Sequence, residues 1–263
     1  MSARTSAVRI GLVYPELLGT YGDRGNAIVL VERCRWRGIP AELVEVRADE
    51  PIPDSLDVYL LGGGEDDPQL MAAEGMLASR EAVARAHAGG AAVLAVCAGF
   101  QLVGHRYEAA DGTVLEGLGL IDMVTRPGPD RLIGEVVVEP SASVHWGPAG
   151  PPPRLTGFEN HGGRTTLGPE VEPLGRVVAG GGNGDGVDGA LAERFVGTYL
   201  HGPVLPRNPG LADRLLAWVI APTGGRLPEL ASPLEERLRS ERLRVGSAGR
   251  LRSWYESRRL ARG

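Results

Sequence analysis

Asp57-Val-Tyr-Leu-Leu61-Gly62-Gly63-Gly64 and Ala91-Ala-Val-Leu-Ala-Val96-Cys97-Ala98-Gly99-Phe100-Gln101 are the stretches that decide the fold. Each is a short, almost unbroken apolar run that ends abruptly in glycine or other small residues. Between them, Gln69 to His87 is Ala-rich and reads as one helix. Apolar runs without polar alternation are strands buried on both faces, which is the pattern of parallel sheets covered by helices. Working outward, Ala7–Tyr14 and Leu43–Val46 read as further strands, and Asn26–Trp36 has helical spacing. The strand-then-helix rhythm predicts an α/β fold with a mostly parallel central sheet flanked by helices.

Beyond about residue 110 the texture changes to strands and Gly/Pro-rich turns. Leu132–Glu139, Leu155–Phe158, Gly175–Val178 and Phe195–Leu200 read as strands, and Gly147–Pro153 and Gly180–Gly186 as surface loops. A helix is expected from Pro209 to Ile220, followed by a linker, Ala221–Arg226. Ser232-Pro-Leu-Glu235 has the form of a capping box with proline at the first helical position, so an Arg-rich helix should begin there. Leu234 and Leu238 lie one turn apart and are expected to pack it onto the body. The chain thus divides into a domain over residues 1–220 and a linker with helical extension over 221–263.

Composition excludes several chemistries. All 28 basic residues are arginine. A chain without lysine has no P-loop lysine, Schiff base or Ser-Lys dyad, so ATP chemistry is not expected of it. Two cysteines, Cys34 and Cys97, are too few for a disulfide framework or a Cys-rich zinc site. Net charge is -5, which does not suggest a nucleic-acid partner; from Glu235 onward nine Arg face four Glu, giving +5 and leaving -10 before it. The N-terminal residues have no apolar signal core, and no apolar run reaches the ~18 residues of a membrane span. A cytoplasmic location is the expectation.

Cys97 closes an apolar strand and opens a helix. A thiol on such a turn projects from the carboxyl end of the sheet, and small neighbours (Ala95, Ala98, Gly99) permit the strained backbone. Attack on an amide creates an oxyanion that needs backbone N–H donors. Ala98 is one candidate, and the turn containing Gly63 and Gly64 is the other, because its strand should run parallel to that of Cys97. The proton acceptor is sought among five histidines. His201 directly follows a strand and is the best placed, with His161 as runner-up; His87, His105 and His145 read as surface or cap residues. Cys34, in an amphipathic helix, reads as structural.

The Cys97 turn, the triple glycine and Gly197-Thr-Tyr-Leu-His201-Gly-Pro together resemble class I glutamine amidotransferases of the cobyric-acid-synthase (CobB/CobQ-like) type. Tyr21-Gly-Asp-Arg-Gly-Asn26, Arg33-Cys-Arg-Trp-Arg-Gly38, Gly157-Phe-Glu-Asn-His-Gly-Gly-Arg164 and Gly202-Pro-Val-Leu-Pro-Arg-Asn208 narrow it to the glutaminase subunits of lipid II isoglutaminyl synthases. The resemblance runs from about Ile10 to Trp218. It implies a flavodoxin-like amidotransferase domain that hydrolyses glutamine, with Cys97 as nucleophile and His201 as general base and acid. It also implies Arg131, and with it Gln101, as substrate-binding residues. No cofactor is implied on this chain. ATP and Mg are expected on a MurT-like, Mur-ligase-family partner, through which lipid II is reached and the D-glutamate α-carboxylate amidated.

Two departures from the family pattern stand out. Ala95 replaces the first glycine of Gly-x-Cys-x-Gly, and Gly202-Pro203 follows His201 where an acid normally lies two residues on. The third catalytic member is therefore expected from elsewhere in the chain or from a partner. Competing readings are an amidotransferase for a corrinoid cofactor, a stand-alone hydrolase or peptidase, and a catalytically silent scaffold.

Overall fold

The computed structural model describes residues 6–142, 152–221 and 227–244. The first half alternates as expected: β1 (Val8–Val13), α1 (Arg24–Arg35), β2 (Ala41–Val46), β3 (Val58–Leu61), α2 (Asp66–Ala78), α3 (Arg80–Ala88), β4 (Ala92–Val96) and α4 (Ala98–Val103). There follow β5 (Arg106–Glu108), β6 (Val114–Glu116), β7 (Met123–Pro140), β8 (Leu155–Leu167), β9 (Gly175–Ala179) and β10 (Val187–Asp188). β11 (Ala190–Ala192), β12 (Phe195–Thr198), α5 (Val204–Arg207) and α6 (Pro209–Ile220) complete the domain. A further helix spans 233–244.

The first sheet has the order β11-β12-β4-β3-β1-β2. Every pairing in it is parallel except β11 with β12. Successive residues of β4 serve opposite faces, as the pleat requires. Leu94 and Val96 join a cluster with Leu30 of α1 and Leu211 and Leu215 of α6, whereas Val93 and Ala95 join Met76 of α2, Val83 of α3 and Phe100 of α4. Both faces are thus covered, which is why β4 carries no polar residue.

The second half holds a separate sheet, β10-β9-β7-β5-β6, with β8 paired to β7. Two short strands expected from sequence are parts of long ones, because β7 and β8 pair antiparallel along most of their length. The register shifts between Pro127 and Leu132, so the intervening residues, Arg131 among them, bulge from the ladder. The expected helix from Gln69 to His87 is two helices broken at Ser79, whose hydroxyl accepts from Ile52 N–H (3.0 Å) instead of serving the helix. Gly180–Gly186 is a loop, as read. Most of Gly147–Pro153, and His145, lie outside the described residues, as do residues 222–226 of the linker.

Leu234 does not anchor the extension: it is 77% exposed. Ionic contacts do that work. Arg33, 2% exposed, grips Asp213 with Nε and Nη2 (both 2.7 Å) and donates to Ser232 Oγ (3.1 Å). Arg37 reaches Asp213 (2.9 Å) and the Pro228 carbonyl (2.8 Å), and Arg242 meets Glu135 (3.4 Å). The planar guanidinium suits such multiple contacts. A cavity of about 510 Å³ between this segment and the body, lined by Arg33, Leu155, Asn208 and Ser232, includes none of the candidate site residues. Asp213→Ala leaves two buried guanidinium groups without their shared carboxylate. It is expected to cost about 2 kcal/mol, read as a lower urea midpoint at unchanged slope.

Candidate active site

Cys97 has φ 51° and ψ -108°, a positive-φ conformation that a non-glycine side chain adopts only under constraint. The constraint is visible on both sides. Its N–H donates to Thr198 O of the neighbouring parallel strand (2.9 Å), and its carbonyl accepts from Gln101 N–H (3.0 Å). Gly99 N–H donates to Gly62 O (3.0 Å), and a Cβ at Gly99 would lie 2.6 Å from Leu61 O. Only glycine lets the start of α4 sit so close to the end of β3. Ala98, first in α4, has an N–H from the opening helical turn, for which no intrahelical acceptor exists.

The triple-glycine turn stands opposite, since β3 and β4 are parallel neighbours. Cβ atoms built at Gly63 and Gly64 would lie 3.5 Å from Cys97 Cβ and 3.8 Å from Ala98 Cβ. One expectation is corrected here. The Gly63 N–H donates to Asp23 Oδ2 at 2.8 Å, so it is engaged and is not a free oxyanion donor. Asp23 is 1% exposed and also accepts from Asn26 Nδ2 (3.0 Å). Burial raises its pKa to about 6, against which these two donors act. Among the turn residues, Gly64 remains the candidate donor.

His201 follows β12 and is fully buried. Its backbone exchanges two hydrogen bonds with Phe158 of β8, His201 N–H to Phe158 O (3.0 Å) and Phe158 N–H to His201 O (2.9 Å). Its Nε2 accepts from Asn160 N–H at 3.1 Å, while Nδ1 is buried without a hydrogen-bond partner among the described residues. The Tyr21 ring lies 4.3 Å from the imidazole, and a Cβ at Gly63 would come 2.9 Å from the same tyrosine. Tyr21 therefore bridges the glycine turn and His201. Burial lowers the His201 pKa to about 4; the His161, Arg207 and Arg131 charges act in the same direction and Glu159 against it.

Arg131 reaches the same cluster from the β7 bulge. Its Nε donates to Asn160 Oδ1 (2.6 Å) and its Nη2 to Asn160 O (3.3 Å). Arg164 pins that bulge by donating to Asp130 Oδ1 (2.6 Å) and Asp130 O (3.1 Å). Gln101 lies behind the Cys97 turn, 4% exposed, with both ends of its amide engaged: it accepts from Gln69 Nε2 (2.9 Å) and donates to Tyr199 OH (3.3 Å). Tyr199 continues that chain to Thr165 (2.7 Å), and Thr165 to Thr125 (2.8 Å).

His161 is 2% exposed, stacked on Tyr199 at 3.6 Å, with Nδ1 3.0 Å from Gly163 O and Nε2 3.6 Å from Glu159. It is built into the wall behind His201. His87 is half-buried near Ala91 O (3.3 Å), and His105 is exposed beside Asp122 (3.3 Å). Cys34 is a core residue. Among the described residues no group of three His, Cys, Asp or Glu could hold a metal ion.

Sequence reading gave Tyr21, Asp23 and Asn160 no individual role, although each lies in a quoted motif. Their signal was a cluster of polar residues among glycines in segments otherwise explicable as turns.

The unfolded chain takes up a proton at His201 near pH 6.5, the folded chain only near about 4. Between these values the unfolded state binds more protons, so this residue's contribution to stability is present above 6.5 and is lost as pH falls to about 4. His201→Gln removes the titration. Urea midpoints measured at about pH 7 and about pH 5 should therefore fall less in the variant than in the wild type.

Comparison with known proteins accords with this geometry. The CobB/CobQ-like glutamine amidotransferase domain matches residues 9–209. The chain is 38% identical over 202 residues to the Staphylococcus aureus lipid II isoglutaminyl synthase (glutamine-hydrolyzing) subunit GatD, covering 76% of this chain and 79% of that one. The Streptococcus pneumoniae GatD subunit is 32% identical over 244 residues, covering 89% and 90%. Cobyric acid synthase of Brucella abortus is 35% identical over 170 residues, but only 32% of its length is spanned. A crystal structure of a glutamine amidotransferase shares the fold at TM-score 0.54 and 18% identity, covering 81% of this chain and 99% of that one. One from Thermotoga maritima does so at 0.50 and 16%, covering 96% and 98%. A strained cysteine turn facing a triple glycine, with Tyr21 linking that glycine turn to a strand-end histidine, is thus carried by a chain that belongs to the CobB/CobQ-like glutamine amidotransferase family, alongside the GatD subunits.

Proposed function

We propose that this chain is the glutaminase subunit of a lipid II isoglutaminyl synthase. The observation that carries the mechanism is the Cys97 turn, held at positive φ with the Ala98 N–H and the Gly64 turn on one side, and Tyr21 linking the glycine turn to His201. Cys97 attacks the side-chain amide carbon of glutamine, and the carbonyl π electrons move to oxygen. Ala98 and Gly64 N–H groups stabilise that oxyanion. His201 takes the thiol proton and returns it to the leaving nitrogen, so collapse forms a thioester and frees ammonia. Water, deprotonated by His201, then attacks the thioester and releases glutamate. Arg131 holds the α-carboxylate by its guanidinium fork. Buried Gln101 acts on the substrate side only through the wall it forms behind Cys97.

Ammonia set free in water is protonated and lost as a nucleophile, so a synthetase must receive it directly. We infer a Mur-ligase-family partner of MurT type that supplies ATP and Mg, reaches lipid II and amidates the D-glutamate α-carboxylate to D-isoglutamine in cell-wall synthesis. This chain needs no cofactor of its own. A cytoplasmic heterodimer, working at the inner membrane face through the partner, fits that role; no helix among the described residues is long and apolar enough to cross a membrane. Residues 1–220 form the amidotransferase domain in this reading, and 221–263 its linker and extension. The corrinoid alternative is weaker, because the matched synthase is about three times as long as the stretch it shares with this chain.

Among the described residues His201 has no hydrogen-bonded acid. Glu159 favours its charged form through space, yet both Glu159 oxygens accept backbone donors, Gly181 N–H (2.8 Å) and Gly182 N–H (2.9 Å). The third member is therefore assigned to the partner. The isolated subunit should turn over glutamine weakly and gain strongly on adding the ligase; full turnover by the subunit alone would overturn that assignment.

In the complex, Cys97→Ala should abolish both glutamine-dependent amidation and labelling by a glutamine-analogue electrophile. Labelling that persists would exclude Cys97 as nucleophile. His201→Ala should lower kcat by about 10² to 10⁴. Arg131→Ala should mainly raise KM for glutamine, as loss of uniform binding does.

A further inference from the structure

We infer that Asn160 is a positioning residue that couples glutamine binding at Arg131 to the readiness of His201; the inference rests on the glutaminase reading above. Three side chains of the candidate site come from distant segments: Tyr21 from the loop after β1, Arg131 from the β7 bulge and His201 from the end of β12. Asn160, on β8 opposite Ile133, touches all three. Its side-chain carbonyl accepts from Arg131 Nε (2.6 Å), its amide nitrogen donates to Tyr21 OH (3.2 Å), and its backbone N–H donates to His201 Nε2 (3.1 Å). An asparagine amide has one accepting and one donating end, so this one side chain serves both Arg131 and Tyr21.

The backbone contact has a chemical consequence. A donor on Nε2 occupies the lone pair with which the ring would take a proton, and it places the neutral ring's own proton on Nδ1. In this arrangement His201 is capped. Arg131 holds the cap through the same residue, since two of its nitrogens are spent on Asn160 oxygens. A glutamine carboxylate arriving at Arg131 competes for those donors with a full negative charge, which an amide oxygen lacks. Drawing Arg131 away slackens Asn160 and uncaps Nε2, so the base is made ready only when substrate is present.

The groups facing His201 are Glu159 and His161 on β8, Arg207 on α5, Arg131 on the bulge, and Tyr21; a charge placed at position 160 would join them. The test is steady-state kinetics of the subunit with its ligase partner. Asn160→Ala removes the side-chain acceptor with which glutamine competes for Arg131 and should lower KM for glutamine about tenfold. Asn160→Asp holds Arg131 with a full negative charge, so the substrate loses its advantage and KM should rise about tenfold; its carboxylate should also move the acidic limb of kcat/KM upward by about one pH unit. A merely structural role would lower the melting temperature of both variants without moving KM in opposite directions, and that result would overturn the inference. Should Asn160→Ala not fold, Asn160→Ser, which lacks the amide oxygen that holds Arg131 Nε, decides by the same fall in KM. Wild type and Cys97→Ala are run in parallel. Glutamine turnover that survives Cys97→Ala removes the glutaminase reading and this inference with it, whereas lost turnover with unaltered Asn160 variants removes only the inference.

Discussion

Two backbone hydrogen bonds between His201 and Phe158 join the first sheet to the second, and the geometry of the site depends on them. His201 leaves β12 of the first sheet at its carboxyl end, where β3 and β4 also end. Phe158 belongs to β8, which with β7 forms the long ladder of the second sheet. The bridge fixes the register between the two, and so brings Asn160 two residues along β8 onto the imidazole and Arg131 across from it. A slip of one residue there would turn Asn160 to the other face and uncouple the second sheet from the site.

Buried acids hold this junction from below. Asp188, fully buried, accepts from Thr198 Oγ1 (2.5 Å) and Tyr199 N–H (3.3 Å), tying down the turn that leads to His201. Burial raises its pKa to about 7. Asp23 does the same for the glycine turn through Gly63. Each carboxylate is costly to bury, and each occupies a place where backbone donors would otherwise be stranded. The polar chain from Gln69 through Gln101 and Tyr199 to Thr165 and Thr125 runs behind Cys97 and ties helices of the first sheet to strands of the second. That chain links its members in one continuous run of hydrogen bonds, and such networks favour one arrangement over many.

The extension over 227–244 is attached by charge. Arg33 and Arg37 of the α1 region share Asp213 of α6, and Ser232 and Pro228 of the extension complete their donors. Arg242 shares Glu135 with Arg207 (2.8 Å), which places the extension two pairings away from the chemistry, since Glu135 lies opposite Phe158. Apolar spacing at Leu234 and Leu238 looked like the anchor, but the exposed Leu234 makes plain that periodicity identifies a helix face without saying what it meets.

The strand-helix alternation, the Cys97 turn, the parallel glycine turn and the strand-end histidine were legible because local properties determine them. An apolar run without alternation must be buried on both faces, and small residues at its end mark a turn wherever the chain goes next. What only the tertiary structure decided is everything carried by partners distant in sequence: Asp23 taking the Gly63 N–H, Asn160 joining Tyr21, Arg131 and His201, the merging of Leu132–Glu139 and Leu155–Phe158 into one long ladder, and the ionic seat of the extension. These depend on which hydrogen-bonding group finds which. A polar side chain in a glycine-rich segment has many admissible partners, and packing around the two-sheet junction selects one.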